Sequence, residues 1–169
     1  WQLATRNSLV ADSLMASGLA CKDASFAYFL IVSRLVPYKR IDIAIKAFNT
    51  LGWPLKIIGT GVELGRLKRI AGKNIEFLGN LTDDELFRYY EDCIALIVSG
   101  VEDFGLSITE AQAAGKPVIA FKAGGAVESI RPERTGEFFL PQTSEALIKV
   151  LKDFNTKDYN REECIKNAQ

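Results

Sequence analysis

The sequence predicts a doubly wound α/β domain, a parallel sheet of about six strands with helices flanking it on both faces. Short, continuous apolar runs alternate with helix-patterned stretches of about ten residues, which is the signature of βαβ units. Glycines or capping residues punctuate most of the boundaries between them. The chain has 169 residues, 48% hydrophobic and 25% charged, enough for one domain with a real core.

Taken in order, residues 1–25 are the least regular part. NSLVADSLMASGLA fits a short helix from Ser8 that Gly18 stops, and its place in the fold is left open. The repeating pattern starts at Phe26. YFLIVS reads as a buried strand. In RIDIAIKAFNTLG, Ile41, Ala44, Ile45, Phe48 and Leu51 recur at helical spacing before Gly52 ends the run. LKIIG, a helix in GVELGRLKRIAG, and the strand NIEFLG follow. TDDELFRYYEDC is a helix with a capping box, Thr82 as N-cap and Glu85 three residues on. IALIVS, the helix SITEAQAAG and the strand PVIAF come next. GAVESI reads as a short helix, GEFFL as a sixth strand, and Thr143 to Phe154 as a closing helix. The expected organisation is an N-terminal segment at 1–25, a Rossmann-like domain at 26–154, and a polar tail or further helix at 155–169.

Composition removes several chemistries. Basic and acidic residues balance at 21 each, so charge gives no case for nucleic acid or an anionic membrane surface. The chain has no histidine. Ser33 and Ser107 therefore cannot belong to a Ser-His-Asp triad within it. No Gly-x-x-x-x-Gly-Lys-Ser/Thr run occurs, which rules out a P-loop. Asp83-Asp84 lies in a first helical turn, where acidic residues suit the dipole rather than a metal. Cys21, Cys93 and Cys164 are odd in number and widely spaced, without a zinc or disulfide pattern; they read as small core or surface residues in a reducing cytosol. Phe26, Tyr28 and Phe29 read as core rather than stacking platforms. No apolar stretch reaches the ~20 residues that cross a bilayer, and no signal peptide is visible. The chain begins at Trp1 and its one methionine is Met15, which reads as a piece of a longer polypeptide.

Ligands of such sheets bind beyond the carboxyl ends of the strands. After the first strand, Arg34 and Lys39 share a loop; two cations there suit phosphate, although taken alone they read more simply as ordinary charges of a solvated surface loop. After the second, Gly59-Thr60-Gly61 implies a tight turn with close backbone approach. The dinucleotide fingerprint is broken at Leu64. After the third, FLGNLT has no charged side chain. After the fourth, EDFGLSITE sets Glu102 on a Gly-containing turn and Glu110 in the helix that follows. Carboxylates accept hydrogen bonds from hydroxyls, and a helix N-terminus favours anions. After the fifth, Gly124-Gly125 precedes Glu128, in what is a helix start or a plain turn. Together these strand ends suit a polyhydroxylated ligand carrying phosphate.

At these residues the chain resembles the C-terminal domain of GT-B-fold retaining glycosyltransferases, the large family 4 group. The resemblance runs from about Phe29 to Phe154. VSRLVPYKRIDIAIKAF is similar to the family's first strand, Arg/Lys loop and first helix. EDFGLSITEAQAAGKPVIAFKAGGAVE is similar to its E-x7-E block and Gly-Gly-x-x-Glu continuation. The PYKR and EDFG wording looks most like the WbaZ-like mannosyltransferase subgroup. The resemblance implies a hexose, with mannose favoured, moved from a nucleotide diphosphate sugar, with GDP-mannose favoured, to a glycan or lipid-linked acceptor. It implies no metal and no cofactor. Arg34 and Lys39 match the cations on the donor diphosphate, and Glu102 the carboxylate at the sugar hydroxyls; these three are the implied catalytic residues. The backbone at Phe104, Gly105 and Leu106 matches amides near sugar and phosphate, and Glu110 the ribose carboxylate. The backbone near Leu81 falls where the base is read, and Gly59 joins the donor-binding set. Eight residues along one helix would span ~12 Å, which suits two grips on one donor better than a joint acid–base act.

Three departures stand against the family pattern. Asp103 replaces a frequent Gly, a Pro-Pro-Val-Asp-type linker is missing before Phe29, and the N-terminal domain that carries the acceptor site is absent. The resemblance implies a cytoplasmic location, without membrane insertion by this chain, and with any peripheral membrane association set by the missing half. The competing readings are a non-catalytic nucleotide- or sugar-binding module on the same fold, a dinucleotide oxidoreductase, and a nucleotide-sugar epimerase of the same fold.

Overall fold

A computed structural model describes residues 27–169; the expectations for Ser8–Gly18, Cys21 and Phe26 lie outside them. The strands are β1 (Phe29–Val32), β2 (Leu55–Ile58), β3 (Ile75–Gly79), β4 (Leu96–Val98), β5 (Val118–Phe121) and β6 (Gly136–Phe139). The helices are α1 (Ile41–Leu51), α2 (Leu64–Ile70), α3 (Asp83–Asp92), α4 (Leu106–Ala113), α5 (Ala126–Ser129), α6 (Ser144–Asp153) and α7 (Arg161–Asn167). All pairings are parallel, in the order β3-β2-β1-β4-β5-β6. The predicted doubly wound fold is the one found.

Alternation along the strands sorts side chains between two cores. Phe29, Ile31, Ile57, Ile97 and Ile119 face one side, where Ile41, Phe48, Leu67, Leu147 and Leu151 bring α1, α2 and α6 against them. Leu30, Ile58, Leu96, Val98, Val118 and Ala120 face the other, packed by Tyr90, Ile108, Ala111 and Ala126 of α3, α4 and α5. The Phe29 ring stacks on Trp53 at 5.9 Å and meets Phe48 edge-on at 5.2 Å. Phe29 and Tyr28 are thus core, as the pattern predicted.

The helix boundaries follow their caps. Gly52 adopts a left-handed conformation and its N–H donates to the Phe48 carbonyl, ending α1. The capping box forms at α3: the Thr82 hydroxyl accepts from the Glu85 N–H, and the Glu85 carboxylate accepts from the Thr82 N–H at 2.9 Å. Residues 155–169 carry a 3-10 turn and α7, which is capped by Asn160 and seated on α4 through an Asn167–Gln112 hydrogen bond of 2.7 Å.

The strand order fixes where a ligand would sit. The chain leaves β1 towards β2 and leaves β4 towards β5, so the loops after these adjacent strands diverge. A crevice opens between such loops at the carboxyl edge of the sheet. The first loop carries Arg34 and Lys39; the second carries Glu102.

Candidate functional site

Lys39 is placed by backbone. Pro37 opens a single 3-10 turn, Pro37–Lys39, in which the Lys39 N–H donates to the Val36 carbonyl at 3.1 Å. Arg40 then takes a left-handed conformation, φ 47°, which releases Ile41 to begin α1. A non-glycine residue held there costs about 1–2 kcal/mol. The Ser99 hydroxyl, at the end of β4, donates to the Lys39 carbonyl at 3.1 Å. Gln142 donates to the Ser99 carbonyl at 3.0 Å. Gly100 lies against the same turn: a Cβ there would fall 2.4 Å from Lys39 Cα.

So held, the Lys39 side chain runs into the crevice. Its Nζ meets Glu102 Oε1 at 2.7 Å and donates to the Val101 carbonyl at 3.2 Å. The paired side chains are 10% and 15% exposed, so the ions attract each other through little water. The Lys39 ammonium thus has a fixed position and a fixed partner. Arg34 behaves differently. It is exposed, and its guanidinium donates to the Tyr38 hydroxyl at 3.1 Å.

Glu102 is fixed from behind by the Gly-Gly turn. The Gly125 N–H donates to the Glu102 carbonyl at 2.7 Å, and Glu102 and Gly124 form an isolated parallel bridge. Gly124 has φ 60°, and a Cβ on it would lie 2.3 Å from the Glu102 carbonyl oxygen. Of the two readings open for Gly124-Gly125, helix start or turn, both hold: α5 begins next, and the turn buttresses the Glu102 loop.

Gly105 switches the chain from that loop into α4. It is left-handed, φ 67° and ψ 33°, and its carbonyl accepts from the amides of Ile108 and Thr109. Glu102 therefore sits on the turn and Glu110 in the helix, as the spacing predicted. The first two amides of α4, at Leu106 and Ser107, have no acceptor within the helix. Phe104 and Leu106 flank Gly105 with exposed side chains.

Glu110 is exposed on α4, and its Oε2 accepts from the Tyr90 hydroxyl at 2.8 Å. Tyr90 is buried, and burial first, then the Glu110 charge, push its phenol far above the ordinary tyrosine range. Gly59 has φ 126°, and the Ser33 carbonyl fills the space its Cβ would occupy, 2.0 Å away. Its N–H donates to Gly79. Gly61 makes the same close approach to Leu35. The Gly-Thr-Gly turn thus seats β2 against the Arg34–Lys39 loop. Leu81 packs its side chain on the core beside α3. The crevice between β1 and β4 brings Lys39 and Glu102 into contact. Arg34 and Glu110 make their side-chain hydrogen bonds elsewhere, with Tyr38 and Tyr90.

Sequence reasoning missed Tyr90, Ser99 and Gly100. Tyr90 shares an apolar helical face with Leu86 and Cys93 and reads as core alone. A glycine directly after a strand was the available signal for Gly100.

The sequence model of the family described as Glycosyl transferases group 1 matches residues 22–169. The chain belongs to that family. This glycosyl transferase group 1 domain is 34% identical over 113 residues to MJ1178 of Methanocaldococcus jannaschii, described as an uncharacterized glycosyltransferase, covering 64% of this chain and 32% of that protein. It is 34% identical over 148 residues to the GDP-mannose-dependent monoacylated alpha-(1-6)-phosphatidylinositol monomannoside mannosyltransferase of Corynebacterium glutamicum, covering 72% of this chain and 37% of that protein. Among solved structures it is similar to Anabaena Alr3699/HepE in complex with UDP and glucose, at TM-score 0.69 and 26% identity, over 96% of this chain and 46% of that one. The domain spans about a third of the length of the curated relatives it matches. No helix among the described residues is long and apolar enough to cross a membrane.

Proposed function

We propose that this domain is the donor-binding half of a retaining glycosyltransferase that moves a hexose, mannose by preference, from a nucleotide diphosphate sugar to a glycan or lipid-linked acceptor. The observation that carries the reading is the Lys39–Glu102 pair at the mouth of the β1–β4 crevice, 2.7 Å apart. It sets a phosphate-binding cation and a hydroxyl-binding carboxylate on adjacent strand ends, in a domain of this family. GDP-mannose is the favoured donor because of the motif wording, which is most like the WbaZ-like mannosyltransferases, and because the Corynebacterium glutamicum relative is named for that donor. UDP is the named ligand of the Anabaena structure, so the choice of base is the first thing to measure.

In this reading Arg34 and Lys39 take the diphosphate and stabilise the charge that develops as the anomeric C–O bond breaks. Amides at Phe104, Gly105 and Leu106 assist, with the dipole of α4 behind them. Glu102 orients the sugar hydroxyls and Glu110 holds the ribose. The backbone near Leu81 meets the base, and Gly59 lines the same edge of the sheet. The acceptor is held by sequence outside this domain, which also sets any association with a membrane; the domain itself works in the cytoplasm.

Titration of the full-length protein with GDP, GDP-mannose, UDP and UDP-glucose tests the donor, with a mannosyl-transfer assay alongside. Tighter binding of GDP-mannose than of UDP-glucose, with transfer, is the expected result. Binding of no nucleotide at millimolar concentration would overturn the reading. Nucleotide binding without any transfer would turn it into a non-catalytic module.

A further inference from the structure

The buried phenol of Tyr90 donates to a carboxylate that is itself exposed, and a carboxylate on a solvent-facing helix position needs no such partner for stability. Water would satisfy Glu110 at no cost. Tyr90 is at the same time among the largest fully buried side chains of the domain. Its ring is packed with Leu30, Leu96 and Ile108 in the second core, so the hydroxyl has little freedom to move. The result is a rigid donor, fixed through the core to β1 and β4, that holds Glu110 Oε2 at 2.8 Å.

We infer that Tyr90 is a positioning residue for nucleotide recognition, locking one oxygen of Glu110 so that the other is presented at a fixed angle to the two hydroxyls of a ribose. This rests on the donor-binding reading above. The chemistry is that of a preorganised acceptor. Glu110 has three rotatable side-chain bonds, and on its own it would lose their freedom each time a ligand bound. The Tyr90 hydroxyl meets that loss in the folded protein. It does so at any physiological pH, since burial and the facing carboxylate keep the phenol protonated. Among the described residues, the Glu110 side chain makes no other hydrogen bond or ion pair, so its second oxygen remains available to a vicinal diol.

The test is Tyr90→Phe in the full-length protein, which removes one oxygen and keeps the packed ring. Affinities for GDP and UDP are measured with those for their 2′-deoxy counterparts. Y90F is expected to weaken the ribonucleotide it binds by about fivefold, to leave the 2′-deoxy form nearly unchanged, and so to narrow ribose discrimination. The maximal transfer rate should stay close to wild type while the donor KM rises. A purely structural tyrosine would weaken both nucleotides alike, and that result overturns the inference. In a Glu110→Ala background, the tyrosine change should add nothing further; additive losses would also overturn it. Should Y90F unfold, Glu110→Gln supplies the discrimination ratio, since its amide oxygen can still accept from the Tyr90 hydroxyl while an NH2 replaces the second oxygen, and an unchanged ratio overturns the inference. Failure of the wild type to bind either ribonucleotide overturns the donor reading itself, and this inference with it.

Discussion

The Lys39 ammonium stands 2.7 Å from Glu102 Oε1, both side chains are largely buried, and the ammonium also donates to the Val101 carbonyl of the facing loop, while the Glu102 carbonyl accepts from the Gly125 N–H. In the proposed reading, a diphosphate arriving at Lys39 competes with Glu102 for one cation; as the ammonium turns to phosphate, Glu102 would gain capacity to accept from sugar hydroxyls, and the pair would link the two halves of a donor. Glu102→Gln should remove the competitor and the sugar contact together. GDP is expected to bind E102Q at least as tightly as wild type. The extra affinity of GDP-mannose over GDP should vanish, and transfer should fall by about a hundredfold. Calorimetric titration of both ligands checks this, and weaker GDP binding with the sugar increment intact would contradict it.

Gly100 is the steric complement of that pair. A Cβ there would lie 2.4 Å from Lys39 Cα and 2.6 Å from its carbonyl oxygen, and neither backbone can retreat without moving the 3-10 turn. Gly100→Ala should cost about 1–3 kcal/mol of stability and weaken nucleotide binding as Lys39 shifts. Gly65, exposed on α2 with nothing within 4 Å of its Cβ position, is the control. Gly65→Ala should stabilise by about 0.5–1 kcal/mol through helix propensity. Urea denaturation of the two variants separates the outcomes.

Arg34 should show function without stability. It is exposed, and its guanidinium donates one hydrogen bond, to the Tyr38 hydroxyl, so Arg34→Ala should change unfolding free energy by less than about 0.5 kcal/mol. A lost charge-assisted phosphate contact should nonetheless weaken GDP about tenfold or more. Thermal melts with and without GDP read both quantities. Unchanged GDP affinity would remove Arg34 from the diphosphate site.

The fold was legible because its determinants are local: apolar runs of strand length, helical spacing from Ile41 to Leu51, a capping box at Thr82 and a stop at Gly52. The Glu102 turn and the Glu110 helix were legible for the same reason, since Gly105 separates them. What stayed hidden depends on which strands become neighbours. Lys39 meets Glu102 because β1 pairs with β4 across a crossover, and no local pattern encodes that adjacency. The partners of Gly59 and Gly124 were hidden likewise: their missing Cβ atoms make room for carbonyls on other loops, while the sequence announced only tight turns. Tyr90 was obscured for another reason. A residue that is core at its ring and hydrogen-bonded at its hydroxyl to an exposed carboxylate leaves the same hydrophobic signature as one that is core throughout.

Cys164 predicts an alkaline limit. It is buried on α7, and burial, with the nearby Glu163 charge second, pushes its thiol up from an ordinary 9.0 to about 11. The folded state thus keeps a proton that the unfolded chain releases. Its stabilising contribution is complete below about pH 9 and lost as pH rises toward 11. Tyr90 and Tyr159 carry shifts of the same sign at higher pH. Cys164→Ala should therefore flatten the fall in stability between pH 8.5 and roughly 10.5 without abolishing the decline above it. Denaturant midpoints across that range, compared with wild type, decide it; parallel curves would reject the assignment.

Gln112 tests how far the site depends on the helix beneath it. Two residues beyond Glu110 on α4, its amide is buried and fully engaged. Nε2 donates to the Ser129 carbonyl at 2.9 Å and to the Thr135 hydroxyl at 3.3 Å, and Oε1 accepts from Asn167 at 2.7 Å. Asn167 also donates to Ser129, and Thr135 accepts from the Arg131 N–H. One side chain thus joins α4 to the end of α5, the start of β6 and α7. Gln112→Leu keeps the approximate volume and leaves three polar groups short of a partner, for a cost of about 2–3 kcal/mol. Hydrogen exchange should show α7 loosening first, because Asn167 is its polar tie to α4. Nucleotide affinity should fall only a few-fold, since Gly105, Ile108 and Ala111 still seat α4 on the sheet. A loss of GDP binding as large as that of Glu110→Ala would mean that the network orients the carboxylate directly, and that α4 is less firmly seated by its apolar face than its burial implies.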